Sequence, residues 1–172
     1  MNLKESFKKH ATDANVAKFA DHLEELMPKY GIDTPLRQRH FIAQLLHESG
    51  GFRYVRELAS GAAYEGRTDL GNVVKGDGVK FKGRGLIQIT GRYNYRKLSW
   101  ALFGDDRLLE TPEILEEPSY AVESACWFWK TNNLNAHADK DNIVAITRRI
   151  NGGLNGLSER KKYYDNLNMI EI

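Results

Sequence analysis

Val16, Phe19, Leu23, Leu26 and Tyr30 recur at three- and four-residue steps, which puts one apolar face on a helix that Gly31 stops. The next stretch, "DTPLRQRHFIAQLLHES", predicts a second helix with Thr34 as its cap and Pro35 at its first position. Leu36, Ile42, Ala43, Leu45 and Leu46 supply its apolar side, and Gly50 and Gly51 end it near Ser49. Glu48 then stands in the last helical turn. Residues 59–85 lose this periodicity and carry many glycines, as a loop does. Within and after them, "VKF" and "LIQIT" are short β-like runs, either a small sheet or irregular extended segments. Helical patterning then returns three times. "SYAVESACWFWKTNN" follows Pro118 and buries Tyr120, Val122, Ala125, Cys126 and Trp129; "DNIVAITRRINGG" has Asp141 as cap and Gly152 as stop; "SERKKYYDNLNMI" has Ser158 as cap. The expected class is mainly α with a small irregular or β-like segment, as one domain over residues 1–172.

Composition changes this picture little. A chain of 172 residues buries about 70% of its unfolded surface, enough for a core of its own. The N-terminus, "MNLKESFKKHATDANV", is charged and has no apolar run, so neither a secretory leader nor a membrane anchor is expected there. No stretch approaches the length of a membrane span, so no stable membrane insertion is expected. The single Cys126 excludes an internal disulfide and fits folding in a reducing cytoplasm. The net charge of +2 is too small to suggest a nucleic-acid partner. Its distribution is uneven: Lys75, Lys80, Lys82, Arg84, Arg92, Arg96 and Lys97 face only Asp77, a local balance of +6. Such a stretch is either a solvated basic face or an attractor for an anionic partner.

Several chemistries drop out. "HES" at His47–Ser49 lacks the second histidine of a zinc protease helix, because position 51 is glycine. His10, His22, His40 and His137 show no metal-ligand spacing, so no metal site is expected. "GDG" and "GRG" lack the third glycine and the context of a nucleotide loop. No "GxSxG" occurs, and Cys126 lies in an aromatic run that suits a buried thiol.

Paired carboxylates remain. Glu48 and Glu57 lie nine positions apart in "LLHESGGFRYVRE". Inverting glycoside hydrolysis needs an acid and a base roughly 6.5–9.5 Å apart. A continuous helix would separate them by about 13.5 Å along its axis, and an extended chain by about 30 Å. A reversal at Gly50–Gly51 is therefore required, and the spacing alone favours two unrelated surface glutamates. "FKGRGLIQITGRYNY" adds Gln88, Thr90, Tyr93 and Asn94, hydrogen-bonding groups beside aromatic faces, which sugars need. Alternation in "LIQIT" puts Gln88 and Thr90 on one side and Ile87 and Ile89 on the other.

Three blocks, "LLHESGGFRYVRE", "KGRGLIQITGRYNY" and "RRINGGLN", together resemble glycoside hydrolase family 19, which holds plant and bacterial chitinases and many phage endolysins. They occur in order between residues 45 and 155. The resemblance implies a lysozyme-like α-helical fold with two lobes around a substrate cleft, inversion at the anomeric carbon, and no cofactor. It implies that Glu48 is the general acid, Glu57 the general base, and Thr90 the hydroxyl that helps hold the attacking water. It further implies that Gln88, Tyr93, Asn94 and Asn151 bind sugar. Glu65, Asp69 and Asp77 are rival bases in the same loop region. "YEGRTDLGN" and "GDG" look more like endolysin-type members than plant chitinases.

The expected function is that of an endolysin-like lysozyme cutting the β-1,4 backbone of peptidoglycan. The expected enzyme is a monomer, made in the cytoplasm without a signal peptide and acting on the wall. The alternatives are a chitinase acting on N-acetylglucosamine polymers, a lytic transglycosylase with one principal acid, and a non-catalytic wall-binding module.

Overall fold

A computed structural model describes residues 10–167. The expectation for the N-terminal leader over residues 1–9, and the extension of the last helix to Met169 and Ile170, lie outside the described residues. The chain forms two compact units, residues 1–53 with 125–172, and residues 54–124.

In the first unit, α1 (Asp13–Leu26) starts where Thr12 Oγ1 accepts from Asn15 N at 3.2 Å. It buries Val16, Phe19, Ala20, Leu23 and Leu26, the face that the periodicity predicts. Pro28 cannot continue the helical hydrogen bonds, so a 3-10 turn, Pro28–Tyr30, carries the chain to a left-handed Gly31. α2 (Pro35–Glu48) begins as predicted, with Thr34 Oγ1 accepting from Arg37 N and proline in its first turn. Every residue from His40 to Leu46 is buried, so this helix is covered all round rather than on one side. Its neighbours are α7 (Leu134–Asp139) and α9 (Leu157–Asn166). Phe41 meets Trp129 edge-on at 5.2 Å, and the Arg37 guanidinium grips both oxygens of Asp139 at 2.7 Å. Burying a ring such as Phe41 contributes about 1.5–3 kcal/mol, so this aromatic core carries more stability than its surface ion pairs.

Two caps differ from expectation. Asn142, not Asp141, caps α8 (Ile143–Asn151), accepting from Ala145 N at 3.0 Å. Asp141 instead binds His40 Nε2 at 2.7 Å and accepts from the Tyr164 hydroxyl, which takes its carboxylate away from the helix end. Ser158 lies inside α9, because the left-handed Gly156 already turns the chain into the helix.

The second unit contains the short α3 (Asp77–Lys80), α4 (Arg92–Phe103), α5 (Arg107–Glu110) and a 3-10 segment, Pro112–Glu116. α6 (Pro118–Thr131) begins in this unit and leaves it after Ser124. Phe81, Leu86, Ile87, Ile89, Tyr95, Leu98 and Leu115 are buried here. No strand forms among the described residues. "VKF" straddles the end of α3, and "LIQIT" makes a single isolated antiparallel bridge, Ile89 with Arg84, which is itself bridged to Arg56. A left-handed Gln88, φ 65°, folds the run back on itself, so a ladder cannot propagate. The side-chain alternation nonetheless holds: Ile87 and Ile89 are buried while Gln88 and Thr90 are half-buried.

Candidate active site

Glu48 closes α2 in the first unit. Its carboxylate is half-buried, and its Oε1 lies 2.6 Å from Nη2 of Arg160, a side chain only 1% exposed. Arg160 Nη1 donates to Gln44 Oε1 at 2.5 Å, one turn back on α2, and its Nε donates to the Asn155 carbonyl at 3.2 Å. Gln44 Nε2 in turn reaches Thr147 Oγ1 at 3.3 Å. The Glu48 carboxylate thus faces a buried guanidinium from α9. Next to it, His47 Nδ1 lies 2.8 Å from Glu159 Oε1, so two successive residues of α2 pair with two of α9. Asn151 is exposed at the last position of α8, in the same unit.

A glycine turn ends α2. Gly50 and Gly51 both have positive φ, and a Cβ on Gly51 would sit 2.7 Å from the His10 carbonyl oxygen, so the turn needs glycine there.

Glu57 belongs to the second unit and is half-buried. Its Oε1 accepts from Gly83 N at 2.5 Å and its Oε2 from the Tyr64 hydroxyl at 3.1 Å. The Glu57 backbone N–H also donates to the Gly83 carbonyl, so residue and side chain are anchored to one point. Burial, and then the neighbouring Glu57 charge, push the Tyr64 hydroxyl above its ordinary range, so it stays a donor. Gly83 is bare because the Gln88 side chain covers it: a Cβ there would lie 2.6 Å from Gln88 Oε1. From Gln88 the contacts continue. Gln88 Nε2 donates to the Gly85 carbonyl at 3.1 Å, Thr90 Oγ1 to the Gln88 carbonyl at 2.9 Å, and Asn94 Nδ2 to the Thr90 carbonyl at 2.9 Å. Glu57, Gln88, Thr90 and Asn94 thus form one connected cluster. Tyr93 lies apart from that chain of bonds, 55% exposed on α4 with the Lys97 ammonium 5.2 Å over its ring.

Arg84 explains why this loop is ordered. Its side chain is buried, with Nη1 donating to the Lys80 carbonyl at 2.7 Å and to the Tyr95 hydroxyl at 3.2 Å, and Nε to Glu116 at 3.1 Å. Arg92 is paired with the buried Asp77 at 2.8 Å, and this guanidinium holds the Asp77 carboxyl below its usual range. Of the seven cations in the basic stretch, Arg84 is therefore internal and Arg92 is half-buried in an ion pair, and Asp77 is occupied as its partner. Glu65 is occupied too: its oxygens accept from Gly78 N and Gly76 N, each at 2.9 Å, and these bonds hold its carboxyl low. Asp69 pairs with Arg67. Of the loop carboxylates, Glu57 is the one tied to the Gln88–Asn94 cluster.

Arg160, Gln44 and Tyr64 are site residues that sequence reasoning missed. In "SERKKYYDN" nothing distinguishes Arg160 from Lys161 or Lys162; only its burial between helices does. A shallow depression of about 420 Å³ in the first unit is lined by Tyr30, Arg37, Lys130 and Asp139 and includes neither Glu48 nor Asn151. Among the described residues no cluster of three His, Cys, Asp or Glu side chains could hold a metal, and no helix is long and apolar enough to cross a membrane.

Comparison with known proteins gives the lineage. The glycoside hydrolase family 19 profile, described as chitinase class I, matches residues 43–158. A glycosyl hydrolase family 19 domain-containing protein of Haemophilus influenzae is 35% identical over 79% of this chain and 80% of its own length. An endochitinase of Arabidopsis thaliana is 38% identical over 65% of this chain, which spans only 38% of that protein. Chitinase C from Streptomyces griseus HUT6037 shares the fold, with a TM-score of 0.76 at 22% identity, over 96% of this chain and 74% of that one. A bacterial family 19 chitinase does so with a TM-score of 0.75 at 19% identity, over 98% and 95%. The mainly helical, lysozyme-like architecture is the one these structures share. The chain belongs to glycoside hydrolase family 19 and is a chitinase-like glycoside hydrolase.

Proposed function

We propose that this hydrolase is an endolysin-like lysozyme that cleaves β-1,4 bonds of the peptidoglycan backbone with inversion. The observation that carries the assignment of the base is the grip on Glu57. Each oxygen accepts one hydrogen bond, from Gly83 N and the Tyr64 hydroxyl, and each keeps a lone pair for a water. In the reaction, water attacks the anomeric carbon as the glycosidic C–O bond breaks. Glu57 takes a proton from that water, and Glu48 gives its proton to the leaving oxygen. The Thr90 hydroxyl, whose proton is committed to the Gln88 carbonyl, holds the water as an acceptor. Arg160, 2.6 Å from Glu48, stabilises the carboxylate that Glu48 becomes on giving up its proton. Gln88, Asn94, Tyr93 and Asn151 bind the sugars.

The preference for an anionic wall over neutral chitin rests on Lys75, Lys80, Arg96 and Lys97, which are exposed on the second unit. Attraction of this kind weakens as salt shortens the Debye length from about 10 Å at 0.1 M to about 3 Å at 1 M. The enzyme is made as a monomer in the cytoplasm and works on the wall. The one buried thiol, Cys126, fits folding under reducing conditions. A chitinase is the second reading, favoured by the endochitinase relative in Arabidopsis.

The test is product analysis on purified peptidoglycan and on chitin oligomers. Muropeptides with free reducing ends of inverted configuration are expected from peptidoglycan, with release lost in both Glu48→Gln and Glu57→Gln. Anhydro-muramyl ends would establish a transglycosylase. Release from chitin oligomers alone would establish the chitinase, and binding without product would establish a wall-binding module.

A further inference from the structure

α4 leaves a row of side chains in water that its packing does not account for. Tyr95, Leu98 and Ser99 on this helix are buried. Tyr93, Lys97 and Trp100 stand at i, i+4 and i+7, so they line one side of it. Tyr93 and Trp100 are each 55% exposed. A single exposed ring is ordinary; two in line with a cation between them make a patterned surface.

The indole is held in place. Trp100 Nε1 donates to Asp106 Oδ1 at 2.7 Å, which satisfies the polar edge of the indole while much of the ring stays in water. Arg96 Nε lies 3.5 Å from the same oxygen, so Arg96 leans toward Asp106 and away from the row. Lys97 is left as the cation of the row, its ammonium 5.2 Å over the Tyr93 ring. A ring fixed in this way loses little conformational entropy on binding.

Seven residues of helix rise about 10.5 Å. That is close to the length of one disaccharide in an extended β-1,4 chain. Successive sugars in such a chain turn over, so sugars one disaccharide apart present the same C–H face. Two aromatic platforms at this interval would take alternate sugars of one strand.

We propose that Tyr93, Lys97 and Trp100 form a binding track for an anionic β-1,4 amino-sugar strand, with Trp100 one disaccharide beyond Tyr93 and Lys97 meeting a carboxylate of the strand. The inference rests on the peptidoglycan reading above, since a neutral strand offers Lys97 no acid. It extends sugar binding past the residues that the sequence motif marks.

The experiment is co-sedimentation of the full chain with purified peptidoglycan sacculi, in a Glu48→Gln parent so that turnover does not erode the substrate. Trp100→Ala should bind about tenfold more weakly, the scale of one lost aromatic stacking contact. Trp100→Phe should keep most of the affinity. Lys97→Gln should reduce the salt dependence of binding. Val79→Ala, at a site 53% exposed in the same unit, serves as the control and should stay within about twofold. Trp100→Gln provides a second variant should the alanine lower the melting temperature. Binding by both Trp100→Ala and Trp100→Gln within twofold of the parent overturns the track. If the active enzyme releases no muropeptides while its Glu48→Gln parent still binds sacculi through Trp100, the hydrolysis reading fails and the track stands. No sacculus binding by the parent overturns both.

Discussion

Replacing Arg160 by methionine removes a buried charge and its donors while filling nearly the same space. The Arg160 side chain is 1% exposed and meets Glu48 Oε1 at 2.6 Å, Gln44 Oε1 at 2.5 Å and the Asn155 carbonyl at 3.2 Å. Breaking a buried ion pair by removing one partner costs about 3–5 kcal/mol when the orphan stays buried. The Glu48 side chain is 19% exposed and regains part of its hydration, which lowers the expected loss to about 2–3 kcal/mol. At about 2–4 °C per kcal/mol for a chain of this size, the melting temperature should fall by about 5–10 °C. Glu48→Gln removes the orphaned charge, so the double variant should be less destabilised than the two single changes added together, by about 1–2 kcal/mol. Urea unfolding of the parent, both single variants and the double variant measures the cycle. A loss below about 0.5 kcal/mol for Arg160→Met, or strict additivity, would refute the view that Arg160 holds the acid. Hydrolysis should also fall in Arg160→Met, because Glu48 then samples orientations that its ion pair with Arg160 now excludes.

Two further outcomes follow from buried or bridged groups. His40 is fully buried, its Nδ1 has no hydrogen-bond partner, and burial holds its pKa below the ordinary 6.5 despite Asp141. The unfolded chain therefore binds a proton that the folded one refuses. His40 should cost no stability above about pH 6.5 and a growing amount as pH falls from there toward its lowered folded value. Urea midpoints at pH 7.5, 6.5 and 5.5 should drop for the parent and flatten in His40→Gln; parallel profiles for the two proteins would rule His40 out. Glu65→Gln replaces one of the two acceptors that hold Gly76 N and Gly78 N, so amide exchange at those glycines should quicken while hydrolysis persists. If Glu65→Gln abolishes hydrolysis and Glu57→Gln does not, Glu65 is the base.

The local rules of helices were legible in the chain. The α1 face, the Thr34 cap, the Pro35 start and the Gly50–Gly51 stop all depend on neighbours within one turn, so spacing and residue type sufficed to place them. The family was legible for a similar reason, since three contiguous blocks carry it. What failed locally failed through competition from afar: Asp141 gave up the cap of α8 to bind His40 and Tyr164. The strand expected at "LIQIT" has the right alternation but lost its ladder to the left-handed turn at Gln88. The basic stretch read as one surface, yet Arg84 and Arg92 turned inward to buried partners. Only tertiary structure decided that Arg160, rather than Lys161 or Lys162, faces Glu48. It also decided that Tyr64 and Gly83 grip Glu57 while Glu65 is tied to two backbone amides. The physical reason is that patterning encodes which residues leave water, whereas the partner of each buried charge is set by which helices and loops pack together.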